Sequence, residues 1–416
     1  CIQCGLCVRY VDEIAAEKTI MLVNRGGRTQ VAPAADGVYD SHFAGNTCDI
    51  CPVGALTSST FRFASRPWEM QRKPVLSSWD ACGTNLWLDV RENVIRRVMP
   101  RENTAVNDLW CSDRDRFHAT DWVLSPERLD VPLVRNADTG QLEPASFDDA
   151  LAAAVEGIAK AIAAGQTVGT AVGTHLGLEE MAAARLFGQV VDGPVASASS
   201  LAEIKSTLGA MPTLAQIENA RAFLVIGQPA TDLPMAWLRM VKAIRKKGMP
   251  LYTIGCREMH LGLASSFDLA CEPGTEGQVV EAILARLVAE KKHNLKFVRG
   301  GCKGFAETRD QWSAELPEGV DAERLATLAD KLAGADDLLI FAGWQASAEA
   351  RAAAWNLALL LGTPGSEAGG YLAPMLNANL RGALELGLAE PAALADPLGA
   401  LLVLGSDLGA DSGDPW

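Results

Sequence analysis

Residues 1–7 read CIQCGLC, and a Cys-Pro pair follows at residues 51–52. The short loop carries three thiolates at two successive two-residue spacings, and a distant turn can supply a fourth, which is the ligand pattern of a [4Fe-4S] cubane. Structural zinc is the competing interpretation, but zinc sites usually combine two separated cysteine pairs. The pattern therefore predicts a four-iron cluster. The expected ligands are Cys1, Cys4, Cys7 and Cys51.

The sequence around these cysteines, residues 1–66, is rich in Gly, Cys, Asn and Thr and has only short apolar runs. Such a composition predicts loops wrapped around the cluster and not around a large hydrophobic core. Cys48 lies three residues before Cys51, but a four-thiolate cubane is complete without it. We therefore expect Cys48 to be a small buried hydrophobic residue beside the cluster.

A small β-rich domain is predicted over residues 67–130. The apolar runs at 86–90 and 94–98 alternate with polar residues and are separated by only three residues. This pattern is typical of a β-hairpin. Cys82 and Cys111 flank the hairpin, and two cysteines alone cannot hold a cubane.

From residue 131 to residue 416 the sequence alternates alanine-rich amphipathic helices with short aliphatic runs, most of which end in glycine. Strands that alternate with helices of this length favour an α/β fold with doubly wound parallel sheets. The sequence ends just after a strand-like run, so this domain is expected to be truncated. The predicted strands are residues 167–172, 223–227, 250–255, 338–343 and 401–405, and the predicted helices are 147–164, 176–191, 234–247 and 276–291.

Composition excludes several classes of function. The 37 Lys and Arg residues against 51 Asp and Glu give a net charge of -14, which disfavours nucleic acid as a partner. No apolar run reaches the roughly 20 residues of a spanning helix, so direct membrane insertion is not expected. Five of the ten cysteines lie in the first 51 residues, which indicates metal binding in a reducing compartment. The chain opens on Cys1 without a secretory signal and is expected to be a fragment lacking its N-terminus.

Other candidate sites are weak. None of the five histidines has metal or catalytic-triad spacing, so His42 and His118 are expected to be solvated or capping residues. Gly-x-Ser-x-Gly and phosphate-loop motifs do not occur, and residues 225–229 give only a weak nucleotide signal. Three further cysteines occur singly and are expected in the core. These are Cys256, Cys271 and Cys302.

The segments CIQCGLCVRY at 1–10 and DICPVGALTS at 49–58 closely resemble the large iron-sulfur subunit of NADH:quinone oxidoreductase, respiratory complex I. The resemblance continues through RPWE at 66–69 and VNDLWCSDRDRF at 106–117, and then into an α/β domain like that of the molybdopterin oxidoreductases. It implies that the four cysteines bind one cluster of an electron-transfer chain. Further [2Fe-2S] and [4Fe-4S] clusters are implied upstream of residue 1.

The function implied by this resemblance is the relay of single electrons from NADH and a flavin, held by a partner subunit, towards quinone. The implied partners are other subunits of the peripheral arm of complex I. That arm lies on the cytoplasmic side of the bacterial inner membrane or the matrix side of the mitochondrial one. One rival hypothesis is the catalytic subunit of an NAD-linked, molybdenum-containing formate dehydrogenase, and another is an assembly scaffold with a purely structural cluster.

Some members of this family bind an additional cubane, and the resemblance places Ser77, Asp80 and Thr84 where three of its cysteines would stand. Only Cys111 matches, so no second cluster is expected. Residues 113–117 stand where the molybdenum enzymes pass from cluster to pterin, but no Cys or His in an evident metal-ligating context follows them. Molybdopterin is therefore not expected.

Overall fold

The computed structural model describes residues 1–34, 37–118, 123–255, 265–373 and 377–408. The chain divides into two compact units, each made of two separate stretches of sequence. The first unit is Cys1–His118 with Thr207–Leu376, and the second is Ala119–Ser206 with Asn377–Trp416.

The β-strands of the described residues are short and belong to several small sheets and one larger sheet. In chain order they are β1 Ile20–Val23, β2 Gln30–Pro33, β3 Gln71–Leu76, β4 Asn85–Arg91, β5 Val94–Pro100, β6 Leu133–Arg135, β7 Leu142–Pro144, β8 Val168–Val172, β9 Val195–Ser197, β10 Ala222–Ile226, β11 Leu251–Gly255, β12 Phe267–Ala270, β13 Leu338–Ala342, β14 Gly370–Leu372 and β15 Ala400–Leu404.

The helices range from single turns to the 17-residue helix that begins at Phe147. The α-helices are Leu6–Arg9, Gly45–Ile50, Phe147–Ala163, Leu178–Val191, Ala202–Thr207, Leu214–Ile217, Pro229–Asp232, Pro234–Lys247, Glu276–Ala289, Leu295–Gly301, Phe305–Arg309, Ala322–Ala333, Ala348–Leu361 and Leu380–Glu385. Short 3₁₀ helices are Gly26–Arg28, Pro67–Glu69, Leu208–Ala210, Thr363–Gly365 and Pro391–Leu394, and π-helical turns are Tyr10–Ala15 and Arg114–His118.

The main sheet of the first unit has five parallel strands in the order β12-β11-β10-β13-β14. Every residue of β10 and β13 is buried, because a parallel sheet is covered by helices on both faces. Chain order runs outward in one direction from β10 and in the other from β13. The sheet therefore has a topological switch point between these two strands, where open α/β sheets usually bind ligands.

Helix Pro234–Lys247 supplies much of the core of this unit. Proline at its first position and Gly248 after its end, at a φ of 68°, fix its two boundaries. Its buried Trp237 packs in one hydrophobic cluster with Tyr10 and Phe43 from the N-terminal segment. The expectation that residues 1–66 avoid a large core is therefore wrong. Their few apolar residues are recruited into the core of the neighbouring sheet.

The predicted hairpin is confirmed as β4 and β5, which pair antiparallel. Glu92 and Asn93 form its turn with φ values of 53° and 63°, as a two-residue type I′ turn requires. β3 joins the other edge of β4. The antiparallel pair β1 and β2 was not predicted from the sequence, because four-residue strands show too little alternation to be recognised.

The second unit contains the parallel sheet β15-β8-β9 and the small hairpin β6-β7. Its longest helix, Phe147–Ala163, begins where the Ser146 hydroxyl accepts a hydrogen bond from the Asp149 backbone N–H. The α/β fold with parallel sheets is thus confirmed, although the predicted strands divide between two sheets. The domain boundaries 1–66, 67–130 and 131–416 stay a prediction.

Candidate iron-sulfur site

The loop of residues 1–7 is shaped by two left-handed residues, Gln3 at a φ of 56° and Gly5 at 72°. The Gln3 side-chain amide donates a hydrogen bond of 2.7 Å to the Thr29 carbonyl, in the turn between β1 and β2. The backbone N–H of Gln3 donates to the Cys1 sulfur over 3.4 Å. The hairpin therefore anchors the loop, on which Cys1 and Cys4 are exposed.

Two short helices bring Cys7 and Cys51 together. Cys7 lies in helix Leu6–Arg9, and Cys51 directly follows helix Gly45–Ile50, which packs against it. Burial raises the pKa of the Cys7 thiol, and the neighbouring thiolates of Cys4 and Cys51 raise it further. Three of the four predicted ligands thus lie near one another, and Cys1 begins the same loop.

The turn after Cys51 is arranged to stabilise a thiolate. The backbone N–H of Ala55 donates to the Cys51 sulfur over 3.2 Å. Although burial opposes the effect, the N–H groups of residues 53–56 lower the pKa of the Cys51 thiol. Gly54 adopts a φ of 63° within this turn. Hydrogen bonds of this kind stabilise negative charge on sulfur and tune the potential of a bound cluster.

The donor set fits iron-sulfur chemistry better than a single ion. Among the residues that the structure describes, no three His, Cys, Asp or Glu side chains converge on one metal position. A cubane offers one iron to each of four thiolates, so its ligands stand further apart than those of a single ion. Four cysteines on two anchored loops are compatible with such a cluster, and their role as ligands stays a prediction.

The remaining cysteines are not arranged as ligands. Cys48 is half-buried, and burial raises the pKa of its thiol. Burial also raises the pKa of Cys82 well above its ordinary value and that of Cys111 to about 12. Cys271 and Cys302 are half-buried and not fully in the core, as had been expected. Cys256 lies outside the described residues.

The positions that would hold a second cubane are filled by hydrogen-bonded polar groups. Ser77 donates to Asp115 over 2.5 Å, and Ser112 donates to the other oxygen of the same carboxylate over 2.8 Å. Asp80 is fully buried and pairs with Arg114. Thr84 and Cys111 are also buried. This packing supports the prediction that no second cluster is bound.

Arg116 is a residue whose role the sequence did not reveal. Its buried guanidinium donates to Asp49 over 2.5 Å, to Asn46 over 3.3 Å and to the Val98 carbonyl over 3.1 Å. A Cβ atom at Gly45 would collide with the guanidinium, so no larger residue fits there. Arg116 therefore ties the helix before Cys51 to strand β5.

The switch point between β10 and β13 is occupied by the protein's own side chains. Asp232 is buried and accepts a 2.7 Å hydrogen bond from the Trp344 backbone N–H. A Cβ atom at Gly343 would lie 2.7 Å from the same carboxylate oxygen. Arg114 donates to the Thr231 carbonyl over 2.8 Å beside it. The two loops at the carboxyl ends of the strands are thus joined to each other.

Comparisons with known proteins agree with this architecture. Residues 1–57 match the ferredoxin-like domain of NADH-quinone oxidoreductase subunit 3. Residues 75–120 match the 4Fe-4S domain of NDSU1/NuoG-like NADH-ubiquinone oxidoreductase, and residues 128–410 match the molybdopterin oxidoreductase family.

Curated relatives cover most of the chain. An NADH-quinone oxidoreductase subunit of Mycobacterium tuberculosis is 31% identical over 97% of this chain and 53% of its own length. The subunit of the same name from Streptomyces coelicolor is 30% identical over 80% of this chain and 41% of its own length. The mitochondrial iron-sulfur protein 1 of NADH dehydrogenase from Solanum tuberosum is 31% identical over 61% of this chain and 35% of its own.

Among solved structures, acetylene hydratase from Pelobacter acetylenicus superposes with a TM-score of 0.52 over 71% of this chain and 44% of its own, at 17% identity. That likeness concerns the fold alone.

Since the molybdopterin oxidoreductase match extends over more than half of the sequence, the chain belongs to that family. Its cluster-domain matches and curated relatives are, more narrowly, those of the large iron-sulfur subunit of NADH-quinone oxidoreductase, as the sequence resemblance predicted. The chain spans about half the length of the M. tuberculosis relative. No helix among the described residues has the length and apolarity needed to cross a bilayer.

Proposed function

We propose that this chain relays single electrons within NADH-quinone oxidoreductase, from NADH and flavin towards quinone, through a [4Fe-4S] cluster on Cys1, Cys4, Cys7 and Cys51. The observation that carries the proposal is the grouping of Cys4, Cys7 and Cys51, with backbone N–H groups directed at the Cys51 sulfur. The family relationship supports it, and the formate dehydrogenase alternative is not favoured by the curated relatives.

A four-iron cluster accepts and releases one electron at a time, and this chemistry needs no acid or base from the protein. The chain's residues hold the ligands in place. The bond from Gln3 to Thr29 fixes the first loop, and Arg116 fixes the helix before Cys51. The N–H of Ala55 and its neighbours in the turn keep Cys51 a thiolate.

We further infer that the large domain acts as a scaffold without molybdopterin. The residues at the switch point do not fit a phosphate-bearing pterin. The Asp232 side chain lies between the loops after β10 and β13, and its carboxylate would repel phosphate groups. The hydrogen bond from Arg114 to Thr231 further consolidates this region. No step of the proposed relay passes through a pterin.

The partners proposed for this chain are other subunits of the peripheral arm of complex I, in line with the names of its relatives. The arm would stand on the cytoplasmic side of a bacterial membrane or the matrix side of a mitochondrial one. The further [2Fe-2S] and [4Fe-4S] clusters implied by the resemblance are proposed for the portion of the relatives' length that this chain does not span.

The test is metal analysis with low-temperature EPR of the anaerobically reconstituted, dithionite-reduced chain. We expect about four irons, no molybdenum and one reversible cubane signal. Cys4→Ser should lose that signal, whereas the control Cys302→Ser should retain it, because Cys302 is outside the predicted ligand set.

Three other results would contradict the proposal. Stoichiometric molybdenum would favour the formate dehydrogenase interpretation. Zinc without iron would exclude both redox functions. A cluster that cannot be reversibly reduced in a redox titration would favour the structural scaffold.

A further inference from the structure

Two buried polar atoms behind the cysteine loop have no hydrogen-bond partner in the protein. Tyr10 lies three residues after Cys7, on the π-helical turn that continues the Cys7 helix; it is 3% exposed, and its hydroxyl is unpaired. In Glu17, one carboxylate oxygen accepts a 3.1 Å hydrogen bond from the His42 backbone N–H. The other carboxylate oxygen is buried and unpaired. Unpaired buried oxygens are costly and call for a functional explanation.

The groups that face Glu17 are mainly acidic. Its carboxylate interacts with Asp113 and with Asp40, and the Ser41 hydroxyl hydrogen-bonds to it. The hydroxyls of Tyr10 and Tyr39 also lie in its electrostatic range.

No cation compensates this acidity directly. His42 contributes only its backbone N–H to Glu17, and burial lowers the pKa of the His42 ring, which disfavours its charged form. The nearest arginine effect is that of Arg114 on His42. Burial first, and then these acidic neighbours, raise the pKa of Glu17 to about 7. The carboxyl therefore changes its charge near neutral pH.

The group is close to the proposed cluster along two routes. Tyr10 extends the helix that carries Cys7. Tyr39 interacts electrostatically with Cys48, and Cys48 interacts with Cys51. A negative charge added at the cluster would therefore act on Glu17 through a mostly buried, weakly screening region.

We propose that Glu17 takes up one proton when the neighbouring cluster is reduced and releases it when the cluster is oxidised. The inference rests on the proposed function, which supplies the electron. One electron enters the cluster, and one proton from solvent passes by exposed Asp40 to the Glu17 carboxylate, so the net charge is unchanged. The neutral carboxylic acid can then donate a hydrogen bond to the unpaired Tyr10 oxygen.

The test is an EPR-monitored redox titration of the cluster-loaded chain at several pH values. Below about pH 7 Glu17 is protonated in both redox states, so the midpoint potential should be independent of pH. Above this value the potential should fall with rising pH, with a slope approaching the one-electron limit of about 59 mV per tenfold change in proton concentration.

Glu17→Gln should abolish this slope, because the amide does not titrate. Glu13→Gln is the matched control: it removes an exposed carboxylate, paired with Arg9, from the same π-helical turn as Tyr10. The Glu13 variant should keep the slope. A slope that survives in Glu17→Gln would overturn the inference.

Infrared difference spectra of the wild-type chain provide a second measurement that does not depend on the folding of Glu17→Gln. Reduction at about pH 8 should produce the C=O band of a protonated carboxyl, and Tyr10→Phe should shift that band. The absence of the band, or a band that Tyr10→Phe leaves unchanged, overturns the inference. A reversible cluster with a flat potential overturns the inference alone, whereas a chain that binds no iron overturns the proposed function as well.

Discussion

The Cys51 turn depends on one glycine. Gly54 adopts a φ of 63°, which costs an L-residue about 1–2 kcal/mol, and the N–H groups around it lower the pKa of Cys51. Nothing lies within 4 Å of where its Cβ would be, so a side chain there would be resisted by the backbone conformation and not by crowding. The glycine is thus retained to direct N–H groups at a sulfur.

Gly54→Ala is therefore expected to make the midpoint potential of the cluster more negative, because weakened N–H hydrogen bonds stabilise the reduced cluster less. Redox titration monitored by EPR measures the shift. The matched control is Gly300→Ala, which has equally open surroundings but no positive φ. An unchanged potential in Gly54→Ala would show that the turn does not tune the cluster.

Among the structural elements, helix Pro234–Lys247 does most to unite the first unit, through Trp237 in a core that includes Tyr10 and Phe43. Trp237→Ala is expected to lower the free energy of unfolding by about 3–5 kcal/mol, since it leaves a large cavity. Trp68→Ala, at a tryptophan that is 80% exposed, should change it by less than about 0.5 kcal/mol. Urea unfolding followed by circular dichroism measures both, and equal effects would refute this assignment of the core.

What the sequence predicts and what it misses follow from the range of the interactions. The hairpin β4-β5 and the buried strands such as β13 are specified by local alternation or by short apolar runs, and both were predicted. The Arg116–Asp49 ion pair joins residues 67 apart, so no local pattern indicates it. Cysteine spacing predicted the candidate site, but the environment of Glu17 depends on packing between distant segments.

At the scale of the whole molecule, the cluster segment shares its core with the parallel sheet, while the second unit has a separate hydrophobic cluster around Ala171, Ala196 and Leu394. Metal binding is coupled to folding where the site is part of the core. We therefore expect the cluster-free Cys4→Ser chain to show faster amide hydrogen exchange in helix Pro234–Lys247.

Helix Phe147–Ala163, in the second unit, is the internal reference and should exchange at the same rate with and without the cluster. Mass spectrometry of peptides from the two helices measures both rates in one experiment. Equal exchange in Pro234–Lys247 with and without the cluster would show that the site and the sheet are energetically independent.

The shared core around Phe43 and Trp237 also limits how this protein can be divided. A ferredoxin-like cassette cut after residue 66 would leave Trp237 without part of its packing, and the cassette would lose the hydrophobic surface on which Tyr10 and Phe43 rest. Gene fusion can join such a segment to a new domain, but here the junction has become part of the interior. The cluster segment and the sheet must therefore be inherited, expressed and engineered as one piece.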